Sequence, residues 1–251
     1  MAAALSERKT MILDLLAEDS KISVSELAKK FGVTMVTARA DLVALEEEGY
    51  IVRTHGGAMP AFHPKILERI RSKKELKASI ARAAAQQIED GDTVIISAGT
   101  TTALIPKYLL GKRDIHIVTN NTLLLTYARS NPQLRITLVG GEFRPSEEGM
   151  VGPLALKAIE QFHVAKAFIG IDGASVKQGF TANCVESADF VRKMTDQADQ
   201  IFAVADSGKF ANAGFARILP FNAVQVLVTD ASLQPEFEEK LIEENVQVIK
   251  A

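Results

Sequence analysis

The 251-residue chain lacks several features that would direct it to a membrane, a metal or an oxidising compartment. Cys184 is its only cysteine, so no internal disulfide can form, which fits a reducing cytoplasm. No apolar run is long enough to span a bilayer, and the N-terminus lacks the apolar region of a signal peptide. The four histidines, His55, His63, His116 and His163, show no metal-ligand spacing. We therefore expect a cytoplasmic protein without a metal, a cofactor or a membrane partner.

Charge gives no indication of a partner either. The formal net charge is −2, and a hydrophobic content of 47% can build a large core in one or two domains. Residues 1–58 carry seven Lys/Arg and nine Asp/Glu, so they lack the basic excess that usually marks a nucleic-acid-binding surface. Any prediction of nucleic-acid binding therefore rests on residue pattern.

The most informative stretch, residues 33–42, has the pattern of the second helix of a helix-turn-helix. Thr34 can cap this helix by accepting from a backbone N–H of its first turn. Ala38, Leu42 and Leu45 recur at helical spacing and are expected to face a core. The part of a recognition helix that enters the major groove is its N-terminal end. Four side chains are left exposed there: Met35, Val36, Thr37 and Arg39.

The flanking segments complete the pattern of a winged helix. An amphipathic first helix is marked by Met11, Ile12, Leu15 and Leu16. Residues 24–32 predict a short second helix with Ser25 as its cap and Gly32 at its end. Residues 50–54 look extended and a turn follows, which would place Arg53 and His55 near phosphates or the minor groove. The same pattern occurs in proteins that never contact DNA, so that alternative stays open.

A domain boundary is predicted within residues 59–75, where Pro60 and Pro64 interrupt the pattern. Residues 65–75 carry five Lys/Arg and two Asp/Glu. We interpret this segment as a solvated connector, with a linker helix that adds phosphate contacts as the alternative. The predicted domains are a winged helix-turn-helix over residues 1–58, a linker over 59–75 and an α/β domain over 76–251.

From residue 76 onward, apolar β-rich runs alternate with helical segments, which is typical of βαβ units on a mostly parallel sheet. Strands are predicted at residues 93–97, 115–119, 135–139, 166–171, 200–205 and 224–228. Helices are predicted at residues 76–88, 102–110, 123–129, 153–161, 188–198 and 235–243. Ligands of open α/β sheets bind outside the carboxyl ends of the strands, where small, hydroxylated and charged residues collect here.

The most specific candidate for ligand binding among these segments is the Gly/Thr loop at residues 99–102, which is followed by the start of a helix. Its backbone N–H groups and hydroxyls, together with the helix dipole, favour an anion such as a sugar phosphate. Ordinary turn and capping chemistry would use the same residues. Lys209, close behind Asp206, would supply a cation, with a solvated surface lysine as the alternative.

Short motifs in the first 58 residues are highly specific as a set. They are Val24-Ser25-Glu26-Leu27-Ala28, Phe31-Gly32-Val33-Thr34, Thr37, Arg39, Asp41-Leu42, Leu45-Glu46, Gly49, Arg53 and His55-Gly56-Gly57-Ala58. With them, residues 8–58 resemble the N-terminal domain of the DeoR family of bacterial sugar-metabolism repressors. The family usually has a β-branched residue at Ala38 and a second basic residue at Ala40. The second departure removes an expected phosphate or base contact, so we expect operator affinity or sequence preference to differ.

A second set of motifs covers residues 76–250 and resembles the sensor domain of the same family. It comprises Gly91-Asp92-Thr93, Gly99-Thr100-Thr101, Thr119-Asn120, Gly140-Gly141, Val151-Gly152-Pro153, Gly170 with Asp172-Gly173, Gly179-Phe180-Thr181, Glu186, and Ala205-Asp206-Ser207 with Lys209-Phe210. That domain is similar in fold to ribose-5-phosphate isomerases and CoA transferases. In the repressors it is taken to bind a phosphorylated sugar as inducer.

The resemblance implies a DNA-binding repressor of a carbohydrate operon, induced by a phosphorylated sugar. Paired half-sites require two aligned winged helices, so we expect a homo-oligomer, either a dimer or a tetramer. The expected contacts with double-stranded operator DNA are Ser25, Thr34, Met35, Val36, Thr37, Arg39, Arg53 and His55. The expected contacts with the sugar phosphate are Gly99, Thr100, Thr101, Thr102, Asn120, Gly141, Asp172, Glu186, Asp206 and Lys209.

A sugar-phosphate isomerase with an accessory DNA-binding domain is the alternative. Aldose–ketose isomerisation needs a carboxylate base and a group that stabilises the enediolate. The resemblance puts Glu186 where the isomerase base falls, and Lys209 could stabilise the charge. The isomerases carry a second acidic residue where this chain has Ala174-Ser175. Because the set of acids is incomplete, we expect binding without turnover.

Overall fold

The computed structural model describes residues 6–19, 21–210 and 212–251 of the chain. The chain divides into two compact units, the first ending at Arg71 and the second beginning at Ser72. The prediction had put a linker at residues 59–75, and the structure assigns most of that segment to the first unit. Across the described ranges, no helix combines the length and the apolar character needed to cross a membrane.

The first unit is a bundle of short helices with a small antiparallel sheet. Its described elements are α1 (Glu7–Glu18), β1 (Ile22–Ser23), α2 (Val24–Phe31), α3 (Met35–Glu47), β2 (Ile51–Thr54), β3 (Gly57–Pro60) and α4 (Pro64–Arg71). The strand order is β1-β3-β2, and the β2–β3 hairpin is the wing. Ala38, Leu42 and Leu45 are at most 1% exposed, as the spacing predicted. The predicted winged helix-turn-helix is confirmed.

Local sequence explains where α2 and α3 begin and end. Thr34 caps α3 by accepting from a backbone N–H of its first turn, as predicted. The prediction that Ser25 caps α2 is wrong, because the cap is Ser23. The Ser23 hydroxyl accepts from the backbone N–H of Glu26, and the Glu26 carboxylate accepts from that of Ser23, which forms a capping box. Gly32 ends α2 in the left-handed conformation, as predicted.

The buried face of α1 differs by one position from the prediction. Ile12 and Leu16 are buried as predicted, and Leu15 is partly buried. Met11 is 41% exposed, and Leu13 is buried in the core instead. The core therefore contacts positions i, i+1 and i+4 of this helix, a stripe that is also compatible with helical periodicity.

The segment interpreted as a solvated connector folds as α4 and contributes to the first unit. Leu67 belongs to the core of that unit, and Phe62 and Ile70 pack against it. Arg71 donates to Asp14 of α1 at 2.9 Å. The connector interpretation is therefore wrong, because Leu67 and Ile70, three positions apart on α4, and the preceding Phe62 pack into the core of the first unit despite the basic residues among them.

The second unit is built around a seven-stranded sheet. Its described elements are α5 (Lys74–Gln86), β4 (Thr93–Ile96), a 3-10 helix (Thr102–Tyr108), β5 (Ile115–Thr119), α6 (Leu124–Ala128), β6 (Leu134–Leu138), β7 (Glu142–Arg144), β8 (Gly149–Val151), α7 (Pro153–Ile159), β9 (Val164–Gly170), β10 (Gly173–Ser175), β11 (Gly179–Ala182), α8 (Val185–Thr195), β12 (Ala198–Val204), a 3-10 turn (Ser207–Lys209), β13 (Ala216–Leu219), a 3-10 turn (Phe221–Ala223), β14 (Val226–Thr229), α9 (Pro235–Glu243) and β15 (Gln247–Lys250).

The strand order of the large sheet is β15-β14-β12-β9-β4-β5-β6, and all neighbours are parallel. The predicted parallel α/β architecture is confirmed. The chain runs from β4 outward to β6, then returns to β9 on the other side of β4. The strand order therefore reverses between β4 and β9, and in sheets of this kind ligands bind in the crevice at that point.

Several short elements were not predicted. They are the β7–β8 hairpin, the three-stranded sheet β10-β11-β13, and β15. All six of these strands have three or four residues, too few to show a clear alternation. Residues 102–108 form a 3-10 helix with Pro106 inside it, because proline removes a backbone donor that an α-helix would need.

Candidate nucleic-acid interface and sheet-edge site

In the first unit, α3 and the wing border a groove of about 370 Å³. It is lined by Val24, Ser25, Met35, Arg39, Leu42, Arg53, Thr54, His55, Gly56 and Gly57. Five of the eight residues predicted to contact DNA belong to this lining. The other three, Thr34, Val36 and Thr37, lie at the N-terminal turn of α3. Five of the predicted residues therefore border one groove, and the other three lie next to it at the start of α3.

Two side chains of this surface are free, whereas those of Arg53, Thr34 and Thr37 already have partners. The Arg39 guanidinium and the His55 ring have no hydrogen-bond or ion-pair partner among the residues that the structure describes. Both residues are exposed. Contact of these two side chains with DNA would therefore break no internal bond, which keeps the cost of binding low.

Arg53 differs from Arg39 because it is already paired. Its Nε lies 2.5 Å from Oε2 of Glu46 on α3, and its backbone N–H donates to the other carboxylate oxygen at 3.0 Å. These hydrogen bonds, the one from the backbone first, lower the pKa of Glu46. The pair fixes the wing against α3, so a phosphate contact by Arg53 would use the guanidinium nitrogens that Glu46 leaves free.

Asp41 anchors α3 on the other side. It is 7% exposed and accepts from Nε and Nη2 of Arg8 on α1, at 2.6 and 3.1 Å. A fork of two parallel hydrogen bonds fixes geometry as well as distance. α3 is therefore held at Asp41 by α1 and at Glu46 by the wing.

In the second unit, the loop after β4 lies at the reversal point of the sheet. The backbone N–H of Gly170, which ends β9, donates to the Ser97 hydroxyl at 2.8 Å. The Thr102 hydroxyl donates to the carbonyls of Ser97 and Gly99 at 2.9 and 3.1 Å. A Cβ on Gly99 would lie 2.8 Å from Thr102 Oγ1, so this close approach requires glycine. The Thr102 side chain is fully buried and organises the loop.

The middle of this loop is free of such bonds. The backbone N–H groups of Thr100 and Thr101, as well as both hydroxyls, donate to no described residue. Thr100 is 7% exposed, whereas Thr101 is half-buried. Two neighbouring N–H groups without acceptors are suited to an anion.

Asn120, at the end of β5, ties two segments together. Its Oδ1 accepts from the Ala98 backbone N–H at 2.8 Å, and its Nδ2 donates to the Met150 carbonyl on β8 at 2.9 Å. Gly141 has a packing role nearby, since a Cβ there would lie 2.7 Å from the Val151 carbonyl oxygen. Both predicted residues therefore have internal roles that sequence reasoning did not assign.

Glu186, in the first turn of α8, is paired as well. It binds Arg144 of β7 and accepts from the Cys184 thiol at 3.2 Å. Its own backbone N–H, the Cys184 thiol and the Arg144 guanidinium lower the pKa of Glu186. An ionised, hydrogen-bonded carboxylate is a weaker base than a free one. Sequence reasoning missed Arg144, because nothing in the local pattern connects β7 with α8.

Asp206 carries the best-buried carboxylate of the predicted set, with a side chain 4% exposed. It accepts from the Gly208 backbone N–H at 3.2 Å and from Nζ of Lys73. Lys73 lies just before α5, in the segment predicted to be a linker, so sequence reasoning missed it. Its clustering with other basic residues at 65–75 was the only signal.

The ammonium of Lys209, by contrast, has no partner among the described residues, and only its backbone N–H is bonded, to the Asp206 carbonyl. The following residue, Phe210, forms a bridge with Ala174 of β10, which brings the Lys209 loop beside the segment that begins at Asp172. Asp172 accepts from the Asn183 backbone N–H at 2.9 Å.

Asp230, which follows β14, holds the Lys209 loop in place through its hydrogen bonds with Ser207. It is 2% exposed and accepts from the backbone N–H and hydroxyl of Ser207 and from the backbone N–H of Ser232, at 2.7 to 3.0 Å. Burial alone would raise the pKa of Asp230, but these hydrogen bonds outweigh it and lower the pKa. Across the described ranges, no group of three His, Cys, Asp or Glu residues is placed to hold a metal ion.

Two family models match the chain. The DeoR-like helix-turn-helix domain matches residues 8–61, and the DeoR C terminal sensor domain matches residues 72–231. The chain is 34% identical to the HTH-type transcriptional repressor GlcR of Bacillus subtilis over 97% of its own length and 95% of the relative's. It is 28% identical to the glycerol-3-phosphate regulon repressor of Escherichia coli K12, over 97% and 98%.

A further relative is the putative aga operon transcriptional repressor of Escherichia coli O157:H7, 27% identical over 97% of this chain and 93% of that protein. Among solved structures, a D-ribose-5-phosphate isomerase in complex with phospho-erythronic acid matches with a TM-score of 0.40 and 18% identity. The match covers 55% of this chain and about half, 54%, of the isomerase.

Proposed function

Because this chain belongs to the DeoR family of helix-turn-helix transcriptional regulators, we propose that it represses a carbohydrate-utilisation operon by binding double-stranded operator DNA. The first unit would read the operator, and the second would respond to a phosphorylated sugar. The relatives that match over nearly their whole length are named as repressors of the aga operon and of the glycerol-3-phosphate regulon. Operator DNA lies in the bacterial cytoplasm, which is therefore the proposed location.

The observation that carries the DNA-binding proposal is the surface beside the groove between α3 and the wing. It presents the unpaired Arg39 on the recognition helix and the unpaired His55 on the wing. Arginine donates two hydrogen bonds to the O6 and N7 acceptors of guanine, the commonest base-specific contact in the major groove. We propose Arg39 as the main base contact of the first unit.

This proposal is tested with the full chain and a duplex that the chain itself selects from random double-stranded DNA. Arg39→Ala should weaken binding by roughly 5- to 150-fold at constant salt, the range of one bidentate base contact. Arg113→Ala is the matched control, because Arg113 is an exposed arginine of the second unit with a side chain 76% exposed. Equal affinity of both variants and the parent would contradict Arg39 as a base contact, and failure to select any sequence would contradict operator binding.

The proposed effector is a phosphorylated sugar at the sheet edge. The free backbone N–H groups of Thr100 and Thr101 support a phosphate there, and the free ammonium of Lys209 supports a second anionic or polar contact. Lys73 adds positive charge beside Asp206. An inducer must bind the state of low DNA affinity more tightly, by linkage.

The test is a thermal-shift series on the full chain with sugar phosphates, their parent sugars and inorganic phosphate. A ligand that binds the native state raises the unfolding temperature by mass action. We expect one sugar phosphate to raise it, its parent sugar not to, and the same compound to release the selected duplex. A shift with inorganic phosphate alone would indicate an anion site without sugar recognition.

We also propose that the working form is a homo-oligomer, because two half-sites on opposite halves of an operator require two aligned winged helices. A dimer is the minimum, and a tetramer is the larger alternative. Light scattering of the full chain with and without duplex should give at least the dimer mass. A monomer in both samples would contradict this proposal.

The alternative function, sugar-phosphate isomerisation, is set aside. Curated relatives that match are named as transcriptional repressors or regulators and not as enzymes. In agreement with that, the Glu186 carboxylate is paired with Arg144 and has a lowered pKa, which makes it a poor general base.

A further inference from the structure

Two apolar side chains at the start of α3 are exposed to solvent, whereas the apolar side chains further along the helix are buried in the core. Met35 is 45% exposed and Val36 is 73% exposed, whereas Ala38 and Leu42 are each 1% exposed. Single exposed apolar residues are normal on a protein surface. These two are adjacent, however, and they share a face of α3 with Arg39, one turn further along, beside the groove.

The side-chain polar groups of the same turn are partly used within the turn itself. The Thr34 and Thr37 hydroxyls lie 2.9 Å apart and bond each other, and the backbone N–H of Thr37 donates to Thr34. The chemistry that this turn offers to a ligand is therefore chiefly the hydrocarbon surface of Met35 and Val36. A hydrocarbon surface distinguishes base pairs only through an apolar group on a base edge.

Duplex DNA carries one such group in the major groove, the C5 methyl of thymine. We propose that Met35 and Val36 read thymine methyl groups, so that each operator half-site carries thymine at the position facing this turn. The inference rests on the proposed DNA-binding function and adds a base preference to it. Arg39 supplies the hydrogen bonds to the neighbouring bases, and the two apolar side chains supply the methyl contact.

The experiment uses the full chain and the selected duplex. Each thymine of a half-site is replaced in turn by deoxyuridine, which removes only the C5 methyl and keeps the base pair. We expect at least one replacement in each half-site to weaken binding about fourfold, the effect of one methyl group that loses its apolar contact. In the double variant that carries Met35→Ala and Val36→Ala, the same deoxyuridine replacement should not weaken binding any further.

Val176→Ala is the control matched to Val36→Ala, because Val176 is an exposed valine of the second unit, 46% exposed, and loses the same groups. Its response to deoxyuridine should equal that of the parent chain. Both substituted positions in α3 are exposed and alanine favours helix, so the double variant should remain folded. Its unfolding temperature checks this.

The outcomes separate the inference from the function on which it rests. If no deoxyuridine replacement weakens binding while Arg39→Ala still does, the methyl contact is refuted and DNA binding stands. If the double variant keeps the full deoxyuridine effect, other residues read the methyl and the inference is likewise refuted. If the chain prefers no duplex over bulk DNA, the proposed function fails and the inference with it.

Discussion

The candidate residues of the two units differ in what they already contact. In the first unit, Arg39 and His55 are exposed and have no partner among the described residues. In the second, Asn120, Glu186 and Asp206 are each held by internal hydrogen bonds or ion pairs. A surface that is free in advance suits a rigid ligand such as a duplex. The backbone N–H groups of Thr100 and Thr101 and the ammonium of Lys209 in the second unit are free as well, but a ligand that engages the three bonded side chains must exchange internal contacts for its own, which couples binding to rearrangement.

The largest expected effect is a loss of stability that is confined to the first unit. Leu45 of α3 is 0% exposed, so Leu45→Ala should lower the free energy of unfolding of the first unit by about 2 to 5 kcal/mol. Operator binding should be lost at temperatures where that unit unfolds, while the thermal response of the second unit to its sugar phosphate remains. Calorimetry with and without ligand measures both. Leu110→Ala, at a position 66% exposed in the second unit, is the control.

A single transition that moves as a whole, together with loss of the ligand response, would contradict this separation. The two units would then unfold together, and the comparison between them would hold for their surfaces but not for their stability.

The next effect concerns the support of the Lys209 loop. Asp230→Asn removes a charged acceptor of three hydrogen bonds and should cost about 1 to 3 kcal/mol at neutral pH. The pKa of Asp230 is lower in the folded state than the ordinary value of about 3.9. Its contribution is therefore present above that ordinary value and is lost as the pH falls through the folded-state pKa.

Urea unfolding of the parent and of Asp230→Asn over a pH series checks this. The difference in free energy of unfolding should be largest near neutral pH and should shrink as the pH falls below about 4. Asp196→Asn, at an exposed carboxylate, is the control and should change little. A difference that does not depend on pH would indicate that the charge of Asp230 has no part in holding the loop.

A smaller effect tests the charge at the sheet edge. Lys73→Met removes a cation and leaves the Asp206 carboxylate uncompensated, and both changes disfavour a phosphorylated ligand. We expect the Kd of the sugar phosphate to rise roughly tenfold. The corresponding change in binding free energy is a fraction of the Coulomb energy between two charges near a protein surface. Calorimetric titration measures it. Lys74→Met removes the same charge one residue further on and should have less effect; equal losses would show that only net charge matters.

The smallest effect concerns the paired arginine of the wing. Glu46→Gln removes the carboxylate that is paired with Arg53 and frees the Arg53 guanidinium for a phosphate. Because exposed ion pairs contribute at most about 1 kcal/mol, operator affinity should rise by no more than about fivefold. The salt dependence of binding should become steeper, since one more cation reaches a phosphate. Glu47→Gln, at the neighbouring exposed carboxylate, should raise affinity less, and equal gains would show that releasing Arg53 contributes nothing.

The sequence predicted those features that depend on short-range spacing. Ala38, Leu42 and Leu45 defined the buried face of α3, because residues three or four positions apart share a helix face. The parallel strands were recognisable because burial on both faces makes them apolar throughout. Ser25 was predicted as the cap in place of Ser23, although Glu26 stands three residues after Ser23, which is the sequence spacing of a capping box.

The contacts of the sheet edge could not be predicted in the same way. Lys73 and Asp206 are 133 residues apart, and no local pattern connects them. The role of Thr102 in bonding the carbonyl of Gly99 depends on the exact path of the loop. Sequence reasoning therefore found which residues collect at this edge, and it did not find which of them bond one another.

The pairing of β4 with β9 affects the order in which the two units fold during synthesis. Val94 pairs with Lys166, whereas in the wing Thr54 pairs with Gly57. Non-local pairing slows folding, so we expect the first unit to fold in the faster phase. A ribosome adding about 5 to 20 residues per second needs roughly 4 to 14 seconds to pass from residue 94 to residue 166. The nascent chain should thus hold a DNA-reading surface before it holds the sheet edge proposed to regulate it.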